Sequence, residues 1–384
     1  MDRFYYFYQK KVREIHNFIS ESLEKRRQNN SLRTLKVEND LIDFCSNDYL
    51  GFSRSEELKS LVKEELKKYP NYRLGSSGSR LIAGNDCFTE SLEEEIAVFH
   101  DSESALLFNS GYSANTGLFA CLPQRGDTVI SDELIHASII DGIRLSHASR
   151  FIFRHNDLNS LEQKLKLAKG RIFIAVESIY SMNGDEAPLV ELIRLAKKFN
   201  AALIVDEAHA IGIFGKKGRG LLDELGCCNE VFARIITFGK ALGVHGAVIL
   251  GSASLRSYLI NFSRPFIYTT AASFQGHLAI KLAYQYLKSR DHQSDIHQRI
   301  QYFKNNIKKN VNLLESRSPV QTIIISGNNS VKEKAAAIQT AGFDVRAILS
   351  PSVPKGLERL RICLHNHNSI EEIKRLVNLI NNII

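Results

Sequence analysis

Ile172-Phe173-Ile174-Ala175-Val176-Glu177-Ser178-Ile179-Tyr180-Ser181 and, one helix-length further on, Ala201-Ala202-Leu203-Ile204-Val205-Asp206-Glu207-Ala208-His209 are the stretches on which the fold turns. Each is a short apolar run that stops at an acid and breaks into small and polar residues. Between them, residues 188–199 have helical spacing. Strand, helix, strand, with the strands apolar throughout, is how a parallel sheet covered on both faces reads. The same texture runs from about 104 to 252, with further short apolar runs at 105–108, 128–131, 150–153, 235–238 and 247–250. The gap 239–246 is too short for a crossover helix, so the last strand is expected to run antiparallel to its predecessor. After about residue 284 the texture changes. Residues 321–326 and 361–364 read as strands, and Ser369-Ile370-Glu371-Glu372 has capping-box spacing ahead of a helix to Ile383. The expectation is an α/β fold with a mostly parallel central sheet containing one antiparallel strand, plus a smaller α+β C-terminal domain. The division expected is an N-terminal helix and arm at 1–45, a large domain at 46–283 and a small domain at 284–384. Within the arm, 3–27 reads as an amphipathic helix. Its stripe of Phe4, Phe7, Tyr8, Val12, Ile15, Ile19 and Leu23 is expected to dock on the body of the protein, because its polar face mixes both signs where a membrane-surface helix would be mostly basic.

A chain of 384 residues exceeds what one hydrophobic core holds. Hydrophobic residues at 44% and charged residues at 24% exclude long disorder. No stretch approaches the roughly 18–20 uncharged apolar residues of a spanning helix, and the start lacks the pattern of a signal peptide. A cytoplasmic protein without a membrane partner is expected. The net charge of +8 is spread along the chain, which argues against a nucleic-acid partner. Cys45, Cys87, Cys121, Cys227, Cys228 and Cys363 form no C-x-x-C pair, so neither disulfides nor a metal site is expected.

In open α/β sheets ligands sit beyond the carboxyl ends of the strands. After 105–108 comes Asn109-Ser110-Gly111-Tyr112-Ser113, a small-residue turn opening a helix, whose free N–H groups suit a phosphate. After 128–131 comes His136; after 172–176, a donor-rich turn through Ser181 to Asp185; after 201–205, Asp206 and His209; after 235–238, Gly239-Lys240. Asp206-Glu207-Ala208-His209 also looks like a helicase Walker-B box. A P-loop is missing, however: Gly239-Lys240 has Arg234 in place of the first glycine and Ala241 in place of Ser or Thr, and Gly215-Lys216 fails at Ala210 and Lys217. A phosphate cradle, an aspartate at one strand end and a lysine at another meet the needs of pyridoxal phosphate (PLP). Its aldehyde takes a lysine as a Schiff base, and its ring nitrogen takes a carboxylate that keeps it protonated.

These motifs resemble the α-oxoamine synthases, fold-type-I PLP-dependent transferases. The likeness runs from about Asp43 to Ala272 and resumes at 347–364. It is carried by Ser46-Asn47-Asp48-Tyr49-Leu50-Gly51, by Gly75-Ser76-Ser77-Gly78-Ser79-Arg80-Leu81-Ile82-Ala83-Gly84, by His136-Ala137-Ser138, by the segments 109–115, 177–185 and 206–220, and by Thr237-Phe238-Gly239-Lys240 and Arg359-Leu360-Arg361. The resemblance implies that Lys240 forms the Schiff base and moves the Cα proton. It implies that Asp206 pairs with the ring nitrogen, His209 bonds the ring oxygen, His136 stacks on the ring and Ser181 orients the cofactor. Gly111, Tyr112 and Thr237 would hold the phosphate, with Thr269 and Thr270 supplied by the other subunit of a homodimer with shared active sites. Asn47 and Arg361 would take the amino-acid carboxylate.

The expected substrates are L-alanine and an acyl-CoA, specifically pimeloyl-CoA or a pimeloyl-carrier protein. Ser79 stands where glycine-using relatives usually carry Thr, and the smaller residue leaves room for a methyl. The glycine C-acetyltransferases and serine palmitoyltransferase remain as alternatives. Ser352 keeps a hydroxyl in a segment where many relatives differ: Leu349 replaces an arginine, and Asn368 stands in place of a histidine. Arg26 and Arg27 read equally well as a solvated helix end or as a grip on the acyl carboxylate or CoA phosphates.

Overall fold

The computed structural model describes residues 2–35, 37 and 40–384, with side chains at residue 8 and, among these, from residue 10 onward. Among the described residues, twelve strands appear in chain order: β1 (Ile42–Asp43), β2 (Ser104–Phe108), β3 (Thr128–Asp132), β4 (Ser149–Phe153), β5 (Ile172–Glu177), β6 (Ala202–Asp206), β7 (Ala233–Thr237), β8 (Ala247–Gly251), β9 (Val320–Ile324), β10 (Phe343–Asp344), β11 (Arg346–Ile348) and β12 (Arg359–Cys363). Seven of them form one sheet in the order β2-β8-β7-β6-β5-β3-β4. β8 alone runs against its neighbours, antiparallel to both β7 and β2. The connection from Phe238 to Gly246 is the short turn expected, closed by Phe238 N–H to Gly246 O at 2.9 Å and Val244 N–H to Phe238 O at 3.0 Å.

Strand residues alternate between two cores. Leu107, Ile130, Ile174, Val176, Val205, Ile236 and Val248 pack on one face of the sheet. Leu106, Val129, Phe173, Ala175, Ile204, Ile235 and Ile249 pack on the other. Successive side chains of a strand point to opposite faces, so a sheet covered on both sides needs apolar residues at every position. The helix Leu189–Lys198 is among the covering elements, close to the segment expected to be helical.

The second sheet is β11-β12-β9, antiparallel throughout. The helix Ile370–Ile383 carries the full capping box: Glu372 N–H donates to Ser369 Oγ at 3.2 Å, and Ser369 N–H to Glu372 Oε2 at 2.7 Å. β1 pairs with β10 in parallel, and Cys363 N–H donates to Phe44 O at 2.8 Å. The arm is thus stitched to the C-terminal unit before it enters the site. The expected break at 283/284 falls inside the helix Phe274–Ser289.

One expectation is corrected. The helix Asp2–Gln28 forms, but its stripe does not dock as expected: Tyr8, Ile15, Ile19 and Leu23 are exposed and only Val12 is half-buried. Phe4 and Phe7 lie outside the described side chains. The described contacts of this region with the body lie beyond the helix end. Asn30 Nδ2 donates to Asn329 Oδ1 at 2.9 Å, Asn328 Nδ2 to Asn29 O at 3.3 Å and Arg33 Nη2 to Ser352 Oγ at 2.9 Å. Among the described residues the helix is held by its C-terminal end, and Tyr8, Ile15, Ile19 and Leu23 of its stripe are left exposed.

Candidate active site

β3, β5, β6 and β7 are parallel, and β2 shares their direction because both it and β7 oppose β8. Their carboxyl ends therefore fall on one edge. A cavity of about 230 Å³ opens there, lined among others by Asn47, Gly111, Tyr112, Asn115, His136, Glu177, Asp206, Thr237, Lys240 and His245. Asp206 and Lys240, expected at separate strand ends, thus share one chamber.

Asp206 ends β6 and is 5% exposed, low enough that its carboxylate needs bonded partners. Asn115 Nδ2 donates to its Oδ2 at 2.7 Å and Ala208 N–H to its Oδ1 at 2.9 Å. Asn115 Nδ2 also reaches Ser138 Oγ at 3.1 Å. His136 caps the helix Ala137–Leu145, and its Nδ1 accepts from Ser138 N–H at 3.2 Å. That acceptor role places the ring proton on Nε2. Burial holds the His136 imidazole below its ordinary range. His209 is buried against Tyr49, whose hydroxyl lies 2.6 Å from Nδ1. Burial first, then the charges of Lys240 and Arg361, keep His209 neutral.

Lys240 follows β7 in the tight turn. Desolvation lowers its ammonium to about 8, with Arg361 adding repulsion, while Asp206 and Glu177 pull the other way. Glu177, buried at the end of β5, is pushed up by burial and by Asp206. Its Oε2 accepts from Ser181 N–H at 3.1 Å, and its Oε1 has no partner.

The turn 109–113, expected to hold a phosphate, opens a helix. Ser110 caps the helix Gly111–Cys121 by accepting from Ser113 N–H at 3.1 Å. A Cβ on Gly111 would stand 2.4 Å from Thr237 Cγ2, so only glycine lets the helix start approach the β7 end this closely. Thr237 Oγ1 is buried with no partner. Thr269 and Thr270 do not line this cavity; Asn109 Nδ2 holds them, at 3.2 Å from Thr269 Oγ1 and 2.8 Å from Thr270 O.

Arg361, on β12, reaches across from the second sheet. Its Nε donates to Ser181 O at 2.7 Å and its Nη2 to Asn47 Oδ1 at 2.9 Å. Ser181 thus meets Arg361 through its backbone carbonyl. The 177–186 turn is seated on the small sheet by Gly184, whose φ of +81° and missing Cβ allow contact with Val320 O. Ser79, Ser352 and Arg26 do not line the Lys240 cavity. Ser79 precedes the turn Arg80–Gly84, Ser352 accepts from Arg33, and Arg26 lines a separate groove with Asn328, Lys355 and Glu358. Asn115, Tyr49, Glu177 and His245 had no role in the sequence reading. The first three lie inside the quoted motifs, which was the available signal; His245 carried none.

The aminotransferase class I and II family model matches residues 39–380. The chain belongs to this family. Its relatives place it on the α-oxoamine synthase branch. It is 40% identical to an 8-amino-7-oxononanoate synthase of Emericella nidulans, over 94% of each chain. It is 35% identical to an aminoacyl transferase, sphA, of Byssochlamys spectabilis, over 94% of this chain and 86% of that one. Among solved structures, 8-amino-7-oxononanoate synthase from Francisella tularensis superposes with a TM-score of 0.76 at 28% identity, covering 90% of this chain and 98% of that one. A serine palmitoyltransferase with a PLP internal aldimine gives 0.82 at 26% identity, covering 90% and 87%. The fold is that of a fold-type-I PLP-dependent transferase. PLP suits the residues present: the orphaned Thr237 Oγ1 and the bare Gly111 turn leave a place for its phosphate, Asp206 for its ring nitrogen and Lys240 for its aldehyde.

Proposed function

We propose that this protein is a PLP-dependent acyltransferase that joins L-alanine to a pimeloyl thioester, on CoA or a carrier protein, giving 8-amino-7-oxononanoate, CO2 and the free thiol. The observation that carries this reading is Lys240 and Asp206 in one cavity with Asn47, to which Arg361 is bonded. Bound there, PLP supplies an electron sink for a carbanion at the amino acid's Cα.

The chain's own residues do the rest. Asp206, fixed by Asn115 and Ala208, presents a localised negative charge to a ring nitrogen. Lys240, with its ammonium lowered by burial, gives up its proton more readily than an exposed lysine, and its amine tethers the cofactor and takes or returns the Cα proton. His136, oriented by Ser138, covers the ring, and neutral His209 addresses the ring oxygen. Arg361 presents its guanidinium, held by Ser181 O, to the substrate carboxylate with Asn47 beside it. That carboxylate later leaves as CO2. Thr269, Thr270 and Ser79 act in trans across a homodimer, which accounts for their position away from the Lys240 cavity of their own chain. Ser79 leaves space for the alanine methyl, and Arg26 with Ser352 contacts the acyl donor. No described helix is long and apolar enough to cross a membrane, and the reading places the enzyme in the cytoplasm.

The test pairs L-alanine, glycine and L-serine with pimeloyl-, acetyl- and palmitoyl-CoA and follows thiol release. Alanine with pimeloyl-CoA should be fastest. A lead for serine with palmitoyl-CoA or glycine with acetyl-CoA overturns the substrate assignment and leaves the cofactor assignment standing. Holoenzyme should be yellow, and Lys240→Ala should abolish that absorbance.

A further inference from the structure

Outside the cavity, one charged cluster joins two of the turns that serve it. His155 follows β4. Its Nδ1 lies 3.0 Å from Asp132 Oδ1 and its Nε2 2.6 Å from Asp185 Oδ2. An ionised carboxylate only accepts, so both ring nitrogens carry hydrogen and the ring is a cation. Asp132 Oδ1 also accepts from Leu134 N–H at 2.8 Å and Oδ2 from Asn156 N–H at 3.0 Å, which shapes the segment leading to His136. Asp185 closes the other turn: Tyr180 N–H donates to Asp185 O at 3.0 Å, and Asn156 Nδ2 ties Asp185 Oδ2 at 3.1 Å and Glu186 O at 3.0 Å. The far side of that turn is Ser181, whose carbonyl takes Arg361 Nε.

We propose that His155 is a positioning residue: as a cation between Asp132 and Asp185 it locks the His136 turn to the Ser181 turn and, through the Ser181 carbonyl, sets the guanidinium of Arg361. This rests on Arg361 being the carboxylate ligand in the reading above. No residue of the clamp lines the cavity, so its effect reaches substrate only through other side chains.

Burial, Asp132 and Asp185 set the charge state of the ring. Asp132 faces it from the end of β3, and Glu133 Oε1 accepts from the His155 backbone N–H at 2.9 Å. Asp185 faces it from the turn, while the neighbouring Glu186 carboxylate is taken up by Arg317 at 2.7 Å, and the Tyr180 ring stands edge-on at 4.5 Å. Arg359 of β12 is the cation drawn to Asp185 from the small sheet. Burial opposes protonation of His155, but the hydrogen bonds and charges of Asp132 and Asp185 prevail and raise it to about 9. A folded-state value above the ordinary 6.5 means that the clamp's contribution is complete below pH 6.5 and is lost as pH rises through about 9.

The experiment uses holoenzyme with ¹³C-labelled histidine, the variants His155→Gln and Asp185→Asn, and kinetics in L-alanine across pH. The wild-type His155 resonance, identified by its absence in His155→Gln, should titrate near 9. A glutamine donates from one end only. His155→Gln should therefore raise KM for alanine about tenfold, the scale of one charge-assisted hydrogen bond, with kcat changed less than about threefold. Asp185→Asn should move both the His155 titration and the alkaline limb of kcat/KM to lower pH. A wild-type resonance titrating near 6.5, or a folded His155→Gln with wild-type KM and limb, overturns the proposal. If His155→Gln does not fold, Asp185→Asn decides, and an unmoved limb overturns it. Should Arg361→Lys leave KM for alanine unchanged, the carboxylate reading falls while the histidine titration still reports on the clamp.

Discussion

Asp206 and Glu207 are neighbours, both buried, and they live in opposite electrostatic settings. Glu207 is closed: Arg234 donates to its Oε2 from Nε at 2.9 Å and from Nη2 at 2.6 Å, and Leu222 N–H donates to its Oε1 at 3.0 Å. Arg234 also donates to His100 O at 3.1 Å and Arg219 O at 2.9 Å. Asp206 instead shares a cavity with a lysine and with atoms that have no partner, Glu177 Oε1, Thr237 Oγ1 and Asn115 Oδ1. A buried charge whose every bond is matched within the chain belongs to the scaffold. A buried charge among unmatched atoms is arranged for something the chain does not itself supply.

That contrast can be broken in several places. Lys240→Ala should cost the most, about 10⁴-fold in turnover, the upper end of what a positioned base contributes, together with the cofactor absorbance. Glu207→Ala should come next and act on the fold: leaving Arg234 buried and unpaired should cost about 3–5 kcal/mol, read by denaturant unfolding of the apoprotein. Asp206→Asn should behave oppositely, with apo stability near wild type and turnover down about 10²–10³-fold, the scale of one preorganised electrostatic contact. If the two variants swapped phenotypes, the distinction between scaffold and site would be wrong. Arg361→Lys should raise KM for the amino acid about 10-fold or more by losing the planar fork, with a smaller change in kcat. Glu177→Gln is the finest probe. Burial and Asp206 raise the carboxyl from 4.5 to about 8, so between those values the folded chain holds more protons than the unfolded one and stability falls as pH rises. The glutamine variant should flatten that slope, as thermal midpoints measured from pH 5 to 8 would show.

Much of this was legible in the chain. Continuous apolar runs such as 172–176 announced a doubly covered sheet, and the eight residues at 239–246 announced the reversal of β8, because no crossover helix fits there. Strand ends alone gather Asp206, His136, Gly111 and Lys240 at one edge. Long-range pairing was not legible. Nothing local in Ile42-Asp43 says that it will pair with Phe343-Asp344, and nothing in His155 says that it will sit between two aspartates from different turns. The N-terminal stripe misled because amphipathicity reports a face that can be covered and is silent about what covers it.

The reversal of β8 has a mechanical corollary. Lys240 sits in a turn pinned at both ends by sheet hydrogen bonds and braced by Gly243 N–H to Lys240 O at 2.9 Å. Its backbone has nowhere to travel, so whatever stroke the amine makes must come from rotation about its own four side-chain bonds, a short arm swinging from a fixed post.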